Sequence, residues 1–195
     1  MEEAKADLPQ IVTQMNKMAE IINHMRIFTR RTDGSQREKC DLNVVVTDVL
    51  RFVTQQFKDQ NVGLVKNLAS VLPFVLADQI QIEQVVMNLL TNARHAVESG
   101  GKDLKRIEIR TAADPNGMVF IEIADNGIGI PEKLKVKMFQ QFFTTKEPGK
   151  GTGLGLSLCR KILEEHRGTI TFESVEGEGT TFRMSLPALP DVKEA

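Results

Sequence analysis

The chain has 195 residues, of which 41% are hydrophobic and 26% are charged, and its formal net charge is −1. These values are typical of one globular domain, or of one domain with a small addition, and they give no reason to expect a nucleic-acid partner or direct membrane contact. The two cysteines, Cys40 and Cys159, fit no disulfide framework or metal-ligand spacing, so we expect reduced thiols and a cytoplasmic protein.

The first segment carries a regular apolar pattern. Its apolar residues recur at alternating steps of three and four, which predicts an amphipathic helix from about Pro9 to about Phe28. Such a helix cannot bury its own apolar stripe and needs a partner helix, upstream in a longer parent, in a second copy of the chain, or both. The polar stretch 30–41 indicates a linker. We therefore predict a helical segment at 1–33, a domain at 34–190 and a tail at 191–195.

The domain shows alternating helix and strand patterns. Apolar spacing and turn residues predict a helix at about 43–59, a strand at 62–68, an extended segment at 72–78, a helix from Asp78 to just before Gly100, strands at 106–112 and 118–125, a helix at about 153–166, and a strand hairpin around the turn 175–179. We expect Asp78 to cap its helix and His166 to have a capping role at the end of the last one. This order predicts an α+β fold, with a mostly antiparallel sheet and helices on one face.

Two asparagines, Asn88 and Asn92, lie one turn apart at the edge of the apolar face of the helix that starts at Asp78. Half-buried amides must find partners. From this helix alone we favour a structural pair that bends or caps the helix. The alternative is a pair of carbonyl oxygens that bind a hard cation such as Mg²⁺, which takes a few protein oxygens together with substrate phosphates.

The stretch IEIADNGIGIP (121–131) places Asp125 at the end of an alternating strand and follows it with Gly127 and Gly129. A carboxylate beside an open loop can accept a hydrogen bond from an exocyclic amine such as that of adenine. The alternative is an ordinary Asx turn, for which Asp-Asn-Gly is a strong signal. Because a turn needs one glycine, the second glycine favours a loop that approaches a ligand closely.

The stretch TKEPGKGTGLGLS (145–157) carries glycines at every second position from 149 to 155 and two lysines, Lys146 and Lys150. It matches neither the P-loop nor the Rossmann fingerprint. Such a run is either a disordered linker or a loop whose bare amides approach an anion, and this one leads directly into a predicted helix. Because a helix N-terminus attracts anions, we predict a flap over phosphates, with the lysines supplying positive charge.

Taken together and in this order, the three motifs resemble the N, G1 and G2 boxes of the sensor histidine kinases. FQQFFTTK (139–146) is similar to the family's F box and GEGTTF (177–182) to its last glycine motif, and the resemblance covers about residues 40–187. It is greatest for the nitrogen-regulation type, whose flap begins Phe-Phe-Thr-Thr-Lys. It implies the two-layer α/β sandwich shared with type II topoisomerases, mismatch-repair ATPases and heat-shock chaperones, with ATP and Mg²⁺ as cofactors.

The resemblance also implies roles for single residues. Asn92 would hold Mg²⁺ with help from Asn88, and Asp125 would accept a hydrogen bond from the adenine amine with support from Thr180. Hydrolytic relatives carry a water-activating glutamate at the position of Asn88, so the asparagine favours phosphoryl transfer to a protein group. His95 would either face phosphate or be a solvated surface residue. The implied catalytic residues are Asn88 and Lys146, and the implied nucleotide-binding residues are Asn88, Asn92, His95, Asp125, Gly127, Gly129, Ile130, Thr145, Lys146, Lys150, Gly151, Thr152, Gly153, Leu154, Gly155, Leu156 and Thr180.

The first helix resembles the second helix of the family's dimerisation hairpin, which implies a homodimer through this helix in the full-length parent. The phosphoacceptor histidine belongs on the other helix of that hairpin, and His24 has neither the acidic neighbour nor the downstream proline of its motif. Gln140 and Gln141 replace the Glu-Pro that the F box often carries, which puts its docking against the hairpin in question.

We therefore expect the catalytic portion of a sensor histidine kinase, with a response regulator as partner and a membrane-bound parent as one possibility. The alternatives are a nucleotide-binding interaction module without phosphotransfer, and an ATPase or serine kinase of the same superfamily. The long first helix and Asn88 disfavour the last.

Overall fold

The structure is a computed structural model that describes residues 37–146 and 151–190. The predicted first helix, the predicted tail, and Gly149 and Lys150 of the glycine loop lie outside the described residues. No helix within the two described ranges is long and apolar enough to cross a membrane.

The described residues form seven strands and four helices. In chain order these are β1 (Glu38–Cys40), α1 (Leu42–Asp59), β2 (Val62–Asn67), β3 (Val75–Ala77), α2 (Gln79–Ser99), β4 (Lys105–Ala113), β5 (Met118–Asp125), α3 (Glu132–Lys135), α4 (Gly155–Glu165), β6 (Thr169–Val175) and β7 (Gly179–Pro187).

Five strands form the main sheet in the order β2-β4-β5-β7-β6. β2 runs parallel to β4, and the other three pairings are antiparallel. Three helices, α1, α2 and α4, share one apolar core with the inner face of this sheet. The predicted α+β class is therefore confirmed, as a two-layer sandwich with a mixed sheet.

Strand alternation separates the two faces of the sheet. Along β4, Ile107 and Ile109 are fully buried against the helices, whereas Arg106, Glu108 and Arg110 lie on the outer face. The outer face is polar and paired: Arg110 and Arg183 both contact Glu122. A site that needs both sheet and helix residues must therefore lie on the inner face, where the helices pack.

Polar caps fix where the two long helices begin. Asp78 caps α2 as predicted, since its carboxylate accepts a hydrogen bond of 3.3 Å from the amide of Gln81. Asp41 caps α1 in the same way, through a bond of 2.8 Å from the amide of Asn43. α2 then buries a continuous apolar face, which includes Ile82, Val85, Val86, Leu89, Leu90, Ala93 and Val97. This face fixes the rotation of α2 and so determines which of its polar residues face the sheet edge.

The prediction for the segment before α1 was wrong in part. Instead of a linker up to residue 41, Glu38–Cys40 form β1, which pairs antiparallel with β3. A strand of three residues is too short to show alternation, and its partner lies far along the chain, so local pattern could not reveal it. The short helix α3 was also missed, because its four residues are too few to show a helical period.

His166 does more than the predicted capping. It is the C-cap residue of α4, its ring is buried, and its Nδ1 lies 2.7 Å from the carbonyl oxygen of Ile162. The amide of Asp78 donates to its Nε2 over 3.0 Å. Because Nε2 accepts, the proton of the neutral ring is on Nδ1. One imidazole thereby ties the end of α4 to the beginning of α2.

Candidate functional site

A cavity of about 460 Å³ opens between α2, the loop after β5, the segment 138–146 and the beginning of α4. It brings together fourteen of the seventeen residues predicted to bind nucleotide: Asn88, Asn92, His95, Asp125, Gly129, Ile130, Thr145, Lys146, Gly151, Thr152, Gly153, Gly155, Leu156 and Thr180. Gly127 and Leu154 do not line it, and Lys150 lies outside the described residues. Three motifs that are far apart in sequence therefore meet at one place.

Successive turns of α2 each contact one of the other motifs. Gly155, which opens α4, has the side chain of Asn88 next to it. One turn later, the Nζ of Lys146 donates to the Oδ1 of Asn92 over 3.3 Å. A further turn along, the carbonyl of Ala96 accepts a hydrogen bond of 3.2 Å from the amide of Ile128. The helix thus spaces the three motifs over about 12 Å along its axis, from residue 88 to residue 96.

The sheet contributes a row of side chains at one end of the cavity. Ile107, Asp125, Thr180 and Ser174 are cross-strand neighbours on the four strands β4, β5, β7 and β6. Because the residues directly opposite each other share a face, this row continues the inner face of the sheet. Asp125 and Thr180 line the cavity, and Ser174 lies behind Thr180.

Asp125 is partly buried and accepts hydrogen bonds from the backbone. Its Oδ1 accepts a hydrogen bond of 2.8 Å from the amide of Gly127. Burial raises the pKa of its carboxyl from 3.8 to about 6, and hydrogen bonds from the backbone amides of Gly127 and Thr180 and the charge of Lys102 oppose part of this rise. A half-buried carboxylate of this kind gains from a ligand that donates hydrogen bonds to it.

The loop after β5 needs glycine because it passes close to other backbone. A Cβ on Gly127 would lie 2.3 Å from the carbonyl carbon of Ala96, and a Cβ on Gly129 would lie 2.0 Å from the carbonyl oxygen of Val175. Gly129 also has a φ of +63°. The loop is therefore wedged between α2 and the β6–β7 turn. Gly127 positions the loop without lining the cavity, which the motif alone could not reveal.

The segment 138–146 and the residues after 150 form the opposite wall. Phe139 anchors this wall, since its ring packs 5.8 Å from that of Phe172. Gly151 lies against Lys146, and Gly153 lies against the backbone of Phe142. Lys146 itself lies at Asn92, as described above. The predicted flap is thus in contact with the predicted metal-binding asparagine.

The beginning of α4 faces the cavity without a side-chain cap. Gly155 and Leu156 line the cavity, and the first amides of a helix have no partner within the helix. This end of α4 therefore carries partial positive charge and free donors, which suit an anion.

His95 is not a simple solvated residue. It lines the cavity, its Nε2 lies 3.2 Å from a guanidinium nitrogen of Arg94, and its Nδ1 lies 3.7 Å from a carboxylate oxygen of Glu98. Since arginine only donates, Nε2 must accept there. The predicted contact with phosphate stays a prediction.

The structure adds eight lining residues to those predicted to bind nucleotide: Thr91, Ala96, Ser99, Ile128, Met138, Phe143, Thr144 and Phe182. Thr91 and Ser99 could have been found from helical spacing, because they follow Asn88 by three residues and His95 by four on α2. Ser174 does not line the cavity, but the register of the β6–β7 hairpin places it opposite Thr180.

Neither cysteine lines the cavity. Both are free and buried, and burial raises the pKa of the Cys159 thiol to about 12. Groups of histidine, cysteine, aspartate and glutamate that could hold a metal are absent from residues 37–146 and 151–190. A metal in this cavity would therefore depend on amide oxygens and on the ligand itself.

A two-layer sandwich with a polar cavity, walled by a lysine, amide oxygens and a helix N-terminus, defines a candidate nucleotide-binding domain. Residues 77–190 match the family described as histidine kinase-, DNA gyrase B- and HSP90-like ATPases. The chain belongs to this family.

Similar proteins place the chain among the histidine kinases of the family. It is 36% identical to the sensor kinase CckA of Brucella abortus (strain 2308), over 97% of the chain but 21% of that protein's length. It is 34% identical to the solved catalytic domain of histidine kinase ThkA, with a TM-score of 0.67, over 80% of the chain and 98% of that domain. Histidine kinase ThkA in complex with response regulator protein TrrA matches at 27% identity and a TM-score of 0.74, over 97% of the chain and 53% of that one.

These matches confirm the predicted resemblance to sensor histidine kinase catalytic domains. The nitrogen-regulation subtype stays a prediction.

Proposed function

We propose that the described residues bind Mg²⁺·ATP and that the full-length parent transfers the γ-phosphoryl group to a histidine, for relay to a response-regulator aspartate. The observation that supports this most strongly is the spacing along α2. One helix places the start of α4, the flap lysine and the carboxylate loop at successive turns, so one elongated ligand can meet all three.

The adenine would lie at the end formed by Asp125 and Thr180. There the carboxylate accepts a hydrogen bond from the exocyclic amine, and the partly buried position strengthens that bond. The phosphates would lie toward Asn88, where the amides at the beginning of α4 donate to them and Lys146 neutralises their charge.

Asn92 fits the role of a metal ligand. Its Oδ1 faces a cation already, since it accepts from the ammonium group of Lys146 at 3.3 Å. Bound there, Mg²⁺ would neutralise charge on the phosphate oxygens. Lys146 would then leave Asn92 and donate to a phosphate, with Asn88 one turn away as the neighbouring amide.

The position of the one carboxylate favours transfer over hydrolysis. Among the lining residues of the cavity in the described ranges, Asp125 is the single acid, and the loop that follows it contacts α2 at Ala96, two turns beyond Asn88. No carboxylate among these residues is placed to activate water beside the phosphates. Positioning and charge neutralisation then carry the chemistry, and a protein histidine is the acceptor.

The proposal extends to the parent protein. The similarity to a histidine kinase solved with a response regulator supports a response regulator as the partner. We further propose that the parent dimerises through the segment 1–33 and works in the cytoplasm, in a soluble or a membrane-bound sensor.

Phosphotransfer to a separate acceptor tests the proposal. The chain is mixed with a hairpin fragment that carries the parent's acceptor histidine, with Mg²⁺ and γ-labelled ATP. We expect acid-labile label on the fragment, its loss in Asn92→Ala, and no change in the matched control Asn116→Ala, whose side chain is exposed on the β4–β5 turn. Tight ATP binding without label would instead support an interaction module.

A further inference from the structure

We infer that Ser174 is a positioning residue for base selection. It accepts the hydrogen bond of the Thr180 hydroxyl and so keeps that proton away from the cavity. Thr180 then offers an acceptor to the purine, which favours an exocyclic amine over an exocyclic carbonyl. This inference rests on the proposed function, which assigns the base to Asp125 and Thr180. It adds a residue behind the cavity wall that determines which hydrogen-bonding groups of a base the wall can bind.

Ser174 is the centre of a small buried network. Ser174 is 9% exposed and Thr180 is 5% exposed. The amide of Ile130 donates to the Ser174 Oγ over 2.8 Å. The same oxygen lies 2.9 Å from the carbonyl oxygen of Gly179 and 2.9 Å from the Oγ1 of Thr180. Three contacts therefore converge on one hydroxyl that has one proton and two lone pairs.

The chemistry of the partners fixes both protons. A carbonyl oxygen only accepts, so the contact between Ser174 and Gly179 requires the serine proton. The Ile130 amide takes one lone pair of Ser174, and the other receives the proton of Thr180. If the serine proton pointed to Thr180 instead, the lone pairs of the Ser174 Oγ and of the Gly179 carbonyl oxygen would face each other at 2.9 Å. One assignment thus satisfies all three contacts.

With this assignment, the cavity wall offers hydrogen-bond acceptors and no donor at Thr180 and Asp125. When the Thr180 hydroxyl donates its hydrogen bond to Ser174, only its lone pairs face the cavity. Asp125, the cross-strand neighbour of Thr180, is an acceptor as well. An exocyclic amine, which has two protons, suits two acceptors. An exocyclic carbonyl would meet lone pairs on both, which is the kind of mismatch that discriminates strongly.

Removing Ser174 would free the Thr180 hydroxyl to turn. The hydroxyl could then donate to a carbonyl, and the preference for an amine would fall. Ile130 would also lose its acceptor, so a general loss of affinity is expected from structural damage alone. The informative quantity is therefore the ratio of affinities for two bases, which structural damage shared by both ligands leaves unchanged.

Calorimetric titration of the full chain with adenosine diphosphate and inosine diphosphate measures this ratio. We expect the wild-type preference for adenosine diphosphate to fall by about tenfold in Ser174→Ala, the worth of about one hydrogen bond. Ser174→Thr, which keeps the hydroxyl, is expected to retain the preference. Thr180→Val is expected to lose it with Ser174 intact, and adding Ser174→Ala to that variant should change the ratio no further.

Equal weakening of both ligands in Ser174→Ala, or an unchanged ratio in Thr180→Val, would overturn the inference while leaving the proposed function intact. Equal affinity of the wild-type chain for the two nucleotides would overturn the inference as well. Failure of the proposed function has a different signature, since the wild-type chain would then bind neither nucleotide. If Ser174→Ala does not fold, Thr180→Val still tests the inference, because an unchanged ratio in that variant overturns it and the acceptor of the Ile130 amide stays in place.

Discussion

Acidification should weaken adenine-nucleotide binding through Asp125. Burial raises the pKa of this carboxyl to about 6, and its ionised form is the stronger acceptor for the amine. Near neutral pH almost all of it is ionised, whereas at about pH 5 only about one molecule in eleven is, so apparent affinity should fall by up to about tenfold.

The nucleotide-free protein should respond in the opposite sense. A carboxyl whose pKa is 3.8 when exposed and about 6 in the fold stabilises the fold below about pH 4 relative to higher pH, and this contribution is lost as pH rises through 6. Ionisation of Asp125 therefore costs the free fold up to about 3 kcal/mol. Asp125→Asn should accordingly be more stable than wild type above pH 6 while binding nucleotide more weakly.

Calorimetric titration with adenosine diphosphate at several pH values, on wild type and on Asp125→Asn, measures the first effect. Protonation of the ligand's own phosphates affects both proteins equally, so the difference between the two profiles isolates Asp125. Chemical denaturation of both proteins over the same range measures the second. Parallel binding profiles in the two proteins would refute the assignment of Asp125 to the base.

Three further changes test other parts of the site and its frame. Lys146→Ala should weaken ATP by about tenfold or more and leave adenosine unaffected, because a charged hydrogen bond to phosphate is lost; equal weakening of both in calorimetry would count against this role. Gly129→Ala should lower the free energy of unfolding by at least about 2 kcal/mol more than the control Gly101→Ala. Both glycines have a similar positive φ, but only a Cβ at Gly129 would collide with Val175. Equal losses of stability in urea denaturation would contradict this packing. His166→Ala should lower the free energy of unfolding by about 2 to 4 kcal/mol, because the amide of Asp78 and the carbonyl of Ile162 lose a buried partner; a loss below about 0.5 kcal/mol would show that the bridge is unimportant.

Local sequence predicted most elements because their signals are local. The Asp78 cap, the two hairpins and the amphipathic faces of α1 and α2 each follow from residues within a few positions. The pair β1 and β3 depends on contact between distant residues, and three-residue strands carry no periodicity. The parallel pairing of β2 with β4 likewise follows from packing and not from any pattern within either strand.

The candidate site was predictable in its motifs but not in its geometry. The spacing of Asn88 and Asn92, and of the glycines, indicated which residues could meet. What Lys146 contacts, and why Gly127 is a glycine, depends on how the loops dock on α2. Ser174 depends on the register of the β6–β7 hairpin, which the turn sequence alone did not fix. His95 depends on Arg94 and Glu98, whose spacing on the helix was visible but was not interpreted.

The dependence of nucleotide binding on Mg²⁺ tests the proposed site most directly. Calorimetric titration with a non-hydrolysable ATP analogue, with and without Mg²⁺, is carried out on wild type, Asn92→Ala and the surface control Asn116→Ala. We predict that Mg²⁺ tightens binding in wild type and in the control, and that this gain is lost in Asn92→Ala. No detectable binding by the wild-type chain, or an equal gain from Mg²⁺ in all three proteins, would contradict the site.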